Sequence, residues 1–119
     1  MTVLLVALGA AVGAPLRYLT DLAVRRRLRS AFPWGTLAVN VAGSLMLGLL
    51  VGLPAPSAVA TLVGTGFCGA LTTYSTFGYE TLRLARAGLR RHAVANVLGS
   101  VLAGLAAAYL GILLAQAVT

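Results

Sequence analysis

The chain has 119 residues, 60% hydrophobic and 9% charged, and its net charge of +7 comes from nine basic residues, all arginine, against two acidic ones. A soluble domain of this size carries far more charge on its surface, so the composition excludes a water-soluble fold. It also excludes nucleic-acid binding: the arginines stand in short clusters between long apolar runs, where they act as topology signals and contacts for anionic lipid, with no soluble domain to carry them.

No charged residue occurs between Arg29 and Glu80, and none after Arg91. A helix crosses the roughly 30 Å hydrocarbon core with about 20 apolar residues. The first gap therefore holds two crossings and a turn, and the second holds one. With the apolar N-terminal stretch, this predicts an all-α integral membrane protein, a single four-helix domain over 1–119. Helix one is expected over about 3–24, ending at the Arg25-Arg26-Arg27 run. Its start, Met1 to Ala14, lacks the positive leader of a signal peptide and is read as a retained membrane helix. Arg17 and Asp21 are four residues apart and so share a face, and Pro15 is placed to kink the helix before them.

Helix two is expected over about 33–53. Pro33 can open it because a first turn does not use its missing N–H, and Pro54-Ala55-Pro56 forces a turn at its end. Tyr18 and Trp34 lie near span ends, as interfacial aromatics do. Helix three is expected over about 57–86, and its middle, Gly66 to Gly78, is dense in glycine and β-branched hydroxyl residues. That composition makes a poor continuous helix, and irregular backbone at membrane depth persists only inside protein or beside a polar cavity. Close helix packing through small residues remains the simpler reading of this stretch. Helix four is expected over about 92–117.

Small and polar residues recur every fourth position on two helices: Asn40, Ser44, Gly48 and Gly52, then Asn96, Ser100, Gly104 and Ala108. Gly9 and Gly13 add a close-approach site on helix one. Helix packing explains most of these, but an amide such as Asn40 at mid-membrane needs partners or an aqueous path. Cys68 is the only cysteine, which excludes an intrachain disulfide. Asp21 and Glu80, the only acidic side chains, lie towards span ends on the arginine-rich side. With no mid-membrane carboxylate, nucleophile–base pair or phosphate loop, the chain reads as neither an enzyme nor an energy-coupled pump. A small multidrug-type transporter would need a carboxylate within helix one before Asp21, and an accessory subunit would have no use for Asn40. What remains is a lining of neutral donors and aromatic edges, Tyr74 and Phe77 among them, with a buried arginine, which suits a small, strongly hydrogen-bonding anion.

Three stretches, taken in this order, resemble the Fluc/CrcB fluoride channel family: Gly13 to Tyr18 (GAPLRY), Trp34 to Ser44 (WGTLAVNVAGS), and Gly66 to Phe77. The resemblance spans nearly the whole chain. It implies passive, fluoride-selective conduction out of the cytoplasm and protection against fluoride toxicity. It implies an antiparallel dimer with two pores along the subunit interface. Asn40 then lines the pore, Tyr74 and Phe77 contact fluoride, the hydroxyls of Ser75, Thr76 and Ser100 form the track beyond, and Arg17 stands near the entrance. It further implies a break in helix three, where Gly69 and Thr72 offer backbone carbonyls to a structural sodium ion at the dimer centre. Two positions depart from the family pattern: Tyr74 stands where phenylalanine is usual, and Asn96 where a tyrosine is often found.

Charge adds an orientation. Arg25, Arg26, Arg27 and Arg29 lie between helices one and two, and Arg83, Arg86, Arg90 and Arg91 between helices three and four. Four crossings bring both groups to one face, and the positive-inside rule places that face in the cytoplasm and both termini outside the cytoplasm. A chain with one orientation cannot form an antiparallel pair with itself. The expected partner is therefore a paralogue of opposite charge bias, with a homodimer as the alternative.

Overall fold

A computed structural model describes residues 1–28, 32–54 and 56–118; Arg29 and Ala55, which the sequence reading places in the first two connections, lie outside them. Among the described residues all regular structure is helical, without a strand, in a body measuring 47 × 30 × 23 Å. The long dimension exceeds the hydrocarbon core by about the depth of the two headgroup regions.

Helix α1 runs Thr2–Arg27 and passes through Pro15 without interruption. Helix α2 runs Trp34–Gly52. The third expected helix is in two pieces: α3 over 57–71, most of it (Ala60–Cys68) wound in wide π-helical turns, and α4 over Ser75–Arg86. Helix α5 runs Arg90–Val118. Helices α1, α2 and α5 are each long and apolar enough to cross a membrane.

The helices associate in pairs, α2 along α5 and α1 along α3, with α4 resting on α5. The first pairing shows why small residues recur on both partners. A Cβ on Gly48 would run into the Ala108 carbonyl oxygen, and one on Gly111 would run into the Leu45 carbonyl oxygen and stand 2.8 Å from the Leu49 amide nitrogen. These are backbone-to-backbone approaches, which neighbouring side chains cannot relieve. In a bilayer, where lipid is as apolar as leucine, such close packing is what holds helices together. Gly9 and Gly13 do the same for α1, lying against the Leu62 and Phe67 carbonyls of α3.

The turn between α4 and α5 is tight. Gly88 adopts φ +80°, the left-handed conformation that ends helices. The Leu89 amide reaches back to the Leu84 carbonyl at 2.9 Å, and the Gly88 amide to Ala85 at 3.3 Å. This Schellman closure leaves Arg86, Arg90 and Arg91 exposed at one end of the molecule.

Candidate functional site

The interruption between α3 and α4 is built from local chemistry. Thr72 has ψ 161°, an extended conformation that stops the helix. Its hydroxyl and its amide both donate to the Cys68 carbonyl, at 2.8 and 2.9 Å. One residue on, the Thr73 hydroxyl accepts from the Thr76 amide at 3.2 Å, in the manner of a helix N-cap. A Cβ on Gly43 of α2 would overlap the Thr72 methyl, so that glycine lets the break lie directly against α2.

Asn40 holds the break open. Its Oδ1 accepts from the Thr73 amide at 2.8 Å, and its Nδ2 donates to the Thr73 carbonyl at 3.1 Å. The side-chain amide thus serves both backbone groups of one residue, as a neighbouring β-strand would. In an unbroken helix the Thr73 amide would close on the Gly69 carbonyl. The second N–H of Asn40 has no partner among the described residues.

Asn40, Tyr74, Phe77 and Ser100 border one groove of about 350 Å³, open along one side. The rings of Tyr74 and Phe77 are tilted by 47° with centroids 6.3 Å apart. Tyr74 is 86% exposed. Ser44, Thr72 and Thr73 border the same groove. Ser44 is visible in sequence only as the stripe member one turn after Asn40, and Thr73 carries no sequence signal that separates it from its hydroxyl neighbours.

Two further cavities follow, each sharing a lining residue with the one before. Thr73 also borders a second cavity of about 220 Å³, shared with Arg17, Thr36 and Thr76. Thr76 in turn borders a third, of about 390 Å³, with Arg25, Glu80 and Arg83 at the arginine-rich end. Ser75 is exposed and borders none of the three. Arg17 is half-buried and points a guanidinium nitrogen at the Thr72 carbonyl, 3.5 Å away. It does not pair with Asp21, the residue sharing its face in sequence; Asp21 bonds Arg25 at 2.6 Å. Glu80, expected near a span end, is buried and accepts a hydrogen bond from the Thr36 hydroxyl.

The carbonyls named for a sodium ion suit a hard cation. Gly69 is exposed, and its usual helical donor, the Thr73 amide, is turned to Asn40. The Thr72 carbonyl receives only the long contact from Arg17. Among the described residues no three His, Cys, Asp or Glu side chains gather into a metal site.

Long apolar helices, with a third helical segment broken beside cavities that carry polar side chains, define a multi-pass membrane protein. The chain belongs to the family described as "CrcB-like protein, Camphor Resistance (CrcB)", which matches residues 4–112. Among similar proteins, the fluoride-specific ion channel FluC 1 of Frankia casuarinae is 61% identical, covering 99% of this chain and 98% of its own. FluC 1 of Streptomyces avermitilis is 57% identical over 98% of both chains. FluC 2 of Mycobacterium tuberculosis is 50% identical over 88% of this chain and 83% of its own.

Proposed function

We propose that the chain is a subunit of a passive, fluoride-selective channel of the cell membrane that lets fluoride leave the cytoplasm. The observation that carries this reading is the Asn40–Thr73 clamp, which sets amide and hydroxyl donors beside an aromatic pair at the break. A small anion gives up tightly held water to enter a bilayer, and neutral donors together with the positive edges of aromatic rings replace part of that shell. The names of the similar proteins point to the same ion. Tyr74 and Phe77 then contact fluoride, with Asn40 and Ser100 beside them. Thr76 continues the path towards Arg17, and Ser75 takes part only where a second chain covers it.

Reconstitution into liposomes with a fluoride electrode tests this. Fast efflux that excludes chloride and falls in Asn40→Ala is the expected result. A preparation that stays silent, alone and with a paralogue of opposite charge bias, would instead make the chain an accessory subunit.

The open side of the groove supports assembly as an antiparallel dimer, since one chain does not close the path. The arginine bias supports a paralogue as partner and an orientation with both termini outside the cytoplasm. Impermeant labelling of a tag at each terminus in intact cells should mark both from outside only. Equal labelling from both sides of the membrane would remove the need for a paralogue and allow a homodimer.

Gly69 and Thr72 would hold the structural sodium through their carbonyl oxygens. Bound there, the ion would contribute a fixed positive charge that lowers the cost of an anion nearby. Replacing sodium with N-methylglucamine on both sides should slow fluoride efflux and lower the thermal stability of the assembled protein, because a ligand bound only to the native state stabilises it. Stability and flux that ignore the exchange would argue against the site.

A further inference from the structure

The hydrogen bonds around Asn96 connect the groove to the far side of α4, and their proton directions are fixed. Asn96 on α5 is 1% exposed. The Thr81 hydroxyl has a single proton, which it donates to the Phe77 carbonyl at 2.8 Å. It can therefore only accept from Asn96, whose Nδ2 lies 2.8 Å away. That orients the amide, leaving Oδ1 to accept from the Ser100 hydroxyl at 3.3 Å. Neither Asn96 nor Thr81 borders the groove, while both ends of the chain of bonds, Phe77 and Ser100, do.

We propose that Asn96 is a positioning residue of the pore: through Thr81 it fixes the turn that carries Phe77, and through Ser100 it directs a hydroxyl at the groove wall. The proposal rests on the fluoride-channel reading for the meaning of the groove. The longest bond of the series is the one at the groove. An anion that reaches Ser100 competes with Asn96 for a single proton, at the link easiest to break. The two stronger bonds stay with α4 and keep the Phe77 turn seated on α5 while that proton is shared. An apolar residue at position 96 would leave the Thr81 hydroxyl without its donor and would release Ser100 to any direction.

Two isosteric variants cut the series at different places, Asn96→Leu in the middle and Thr81→Val at the α4 end, and Thr81→Ser keeps it. Both cuts should raise the half-saturating fluoride concentration by about three- to tenfold, the scale of one hydrogen bond lost. Thr81→Ser should match the unmutated protein. The double variant should be no worse than the more affected single one, since both remove one connected series. A second readout needs no transport: the ¹⁹F resonance of 4-fluorophenylalanine placed at position 77 should move in Thr81→Val, while the same label at Phe67 on α3 stays put. If half-saturation and the resonance at position 77 both hold in assembled Thr81→Val, the bonds are packing alone and the proposal falls; this variant decides even where Asn96→Leu fails to assemble. A displaced resonance in a chain that never carries fluoride would sustain the series of bonds and sink the channel reading.

Discussion

Replacing Asn40 by alanine should reduce fluoride efflux at least a hundredfold and lower the yield of assembled protein. The amide satisfies both the N–H and the C=O of Thr73, at 2.8 and 3.1 Å. Removing it leaves both backbone groups of the buried Thr73 without this partner, a cost of roughly 2–6 kcal/mol. About 2.7 kcal/mol already corresponds to a hundredfold in rate if it falls on the conducting arrangement. Asn40→Asp separates the two halves of the clamp. An ionised carboxylate still accepts from the Thr73 amide but cannot donate to its carbonyl, and its charge repels an anion. It should therefore assemble better than Asn40→Ala and conduct no better. An Asn40→Ala protein with flux within twofold of the original would show that the break stands without its clamp.

Gly111→Leu should prevent assembly outright. Its side chain would start from a Cβ that already runs into the α2 backbone at Leu45 and Leu49. Overpacking a core usually costs about 1–3 kcal/mol because side chains give way. Here the obstacle is main chain, so α2 and α5 would have to separate along their shared length. Gly99→Leu, on the same helix, meets nothing within 4 Å of its new Cβ and serves as the control. Size-exclusion chromatography in detergent should show a folded peak for the second and none for the first. Equal peaks would mean the two helices are held together elsewhere.

Much of the architecture is legible in the chain because lipid imposes a coarse rule: charge marks the ends of spans. Two charge-free intervals and two arginine clusters are enough to draw the crossings. The break is legible chiefly through the family resemblance, since the glycine and threonine of Gly66 to Gly78 fit close helix packing as well. Partner choice is harder to read. Arg17 and Asp21 share a face, yet Arg17 turns to a carbonyl that exists as an acceptor only because the helix stops at Thr72. Glu80 lies level with the first turn of α2, near a span end as its place among arginines implies, but its burial against Thr36 is not legible in the chain. Gly111 lies off the four-residue stripe that contains Gly104, and Gly104 meets only the Ser44 hydroxyl, at 3.6 Å. Spacing along one helix does not say which row faces a neighbour. The π-helical turns of α3 likewise have no counterpart in spacing, because they answer to the helices alongside.

Tyr74 and Ser75 are exposed beside the break on a chain with three helices apolar enough to cross a membrane. A newly inserted subunit thus shows hydroxyl groups to hydrocarbon until something covers them, and polar groups in that position are costly. Insertion and covering are separate events, the second bimolecular within the plane of the membrane. Its extent would follow mass action, so depleting a paralogous partner should lower the covered population of this chain. Were a partner needed to cover these hydroxyls, the abundance of this chain would follow that of the partner.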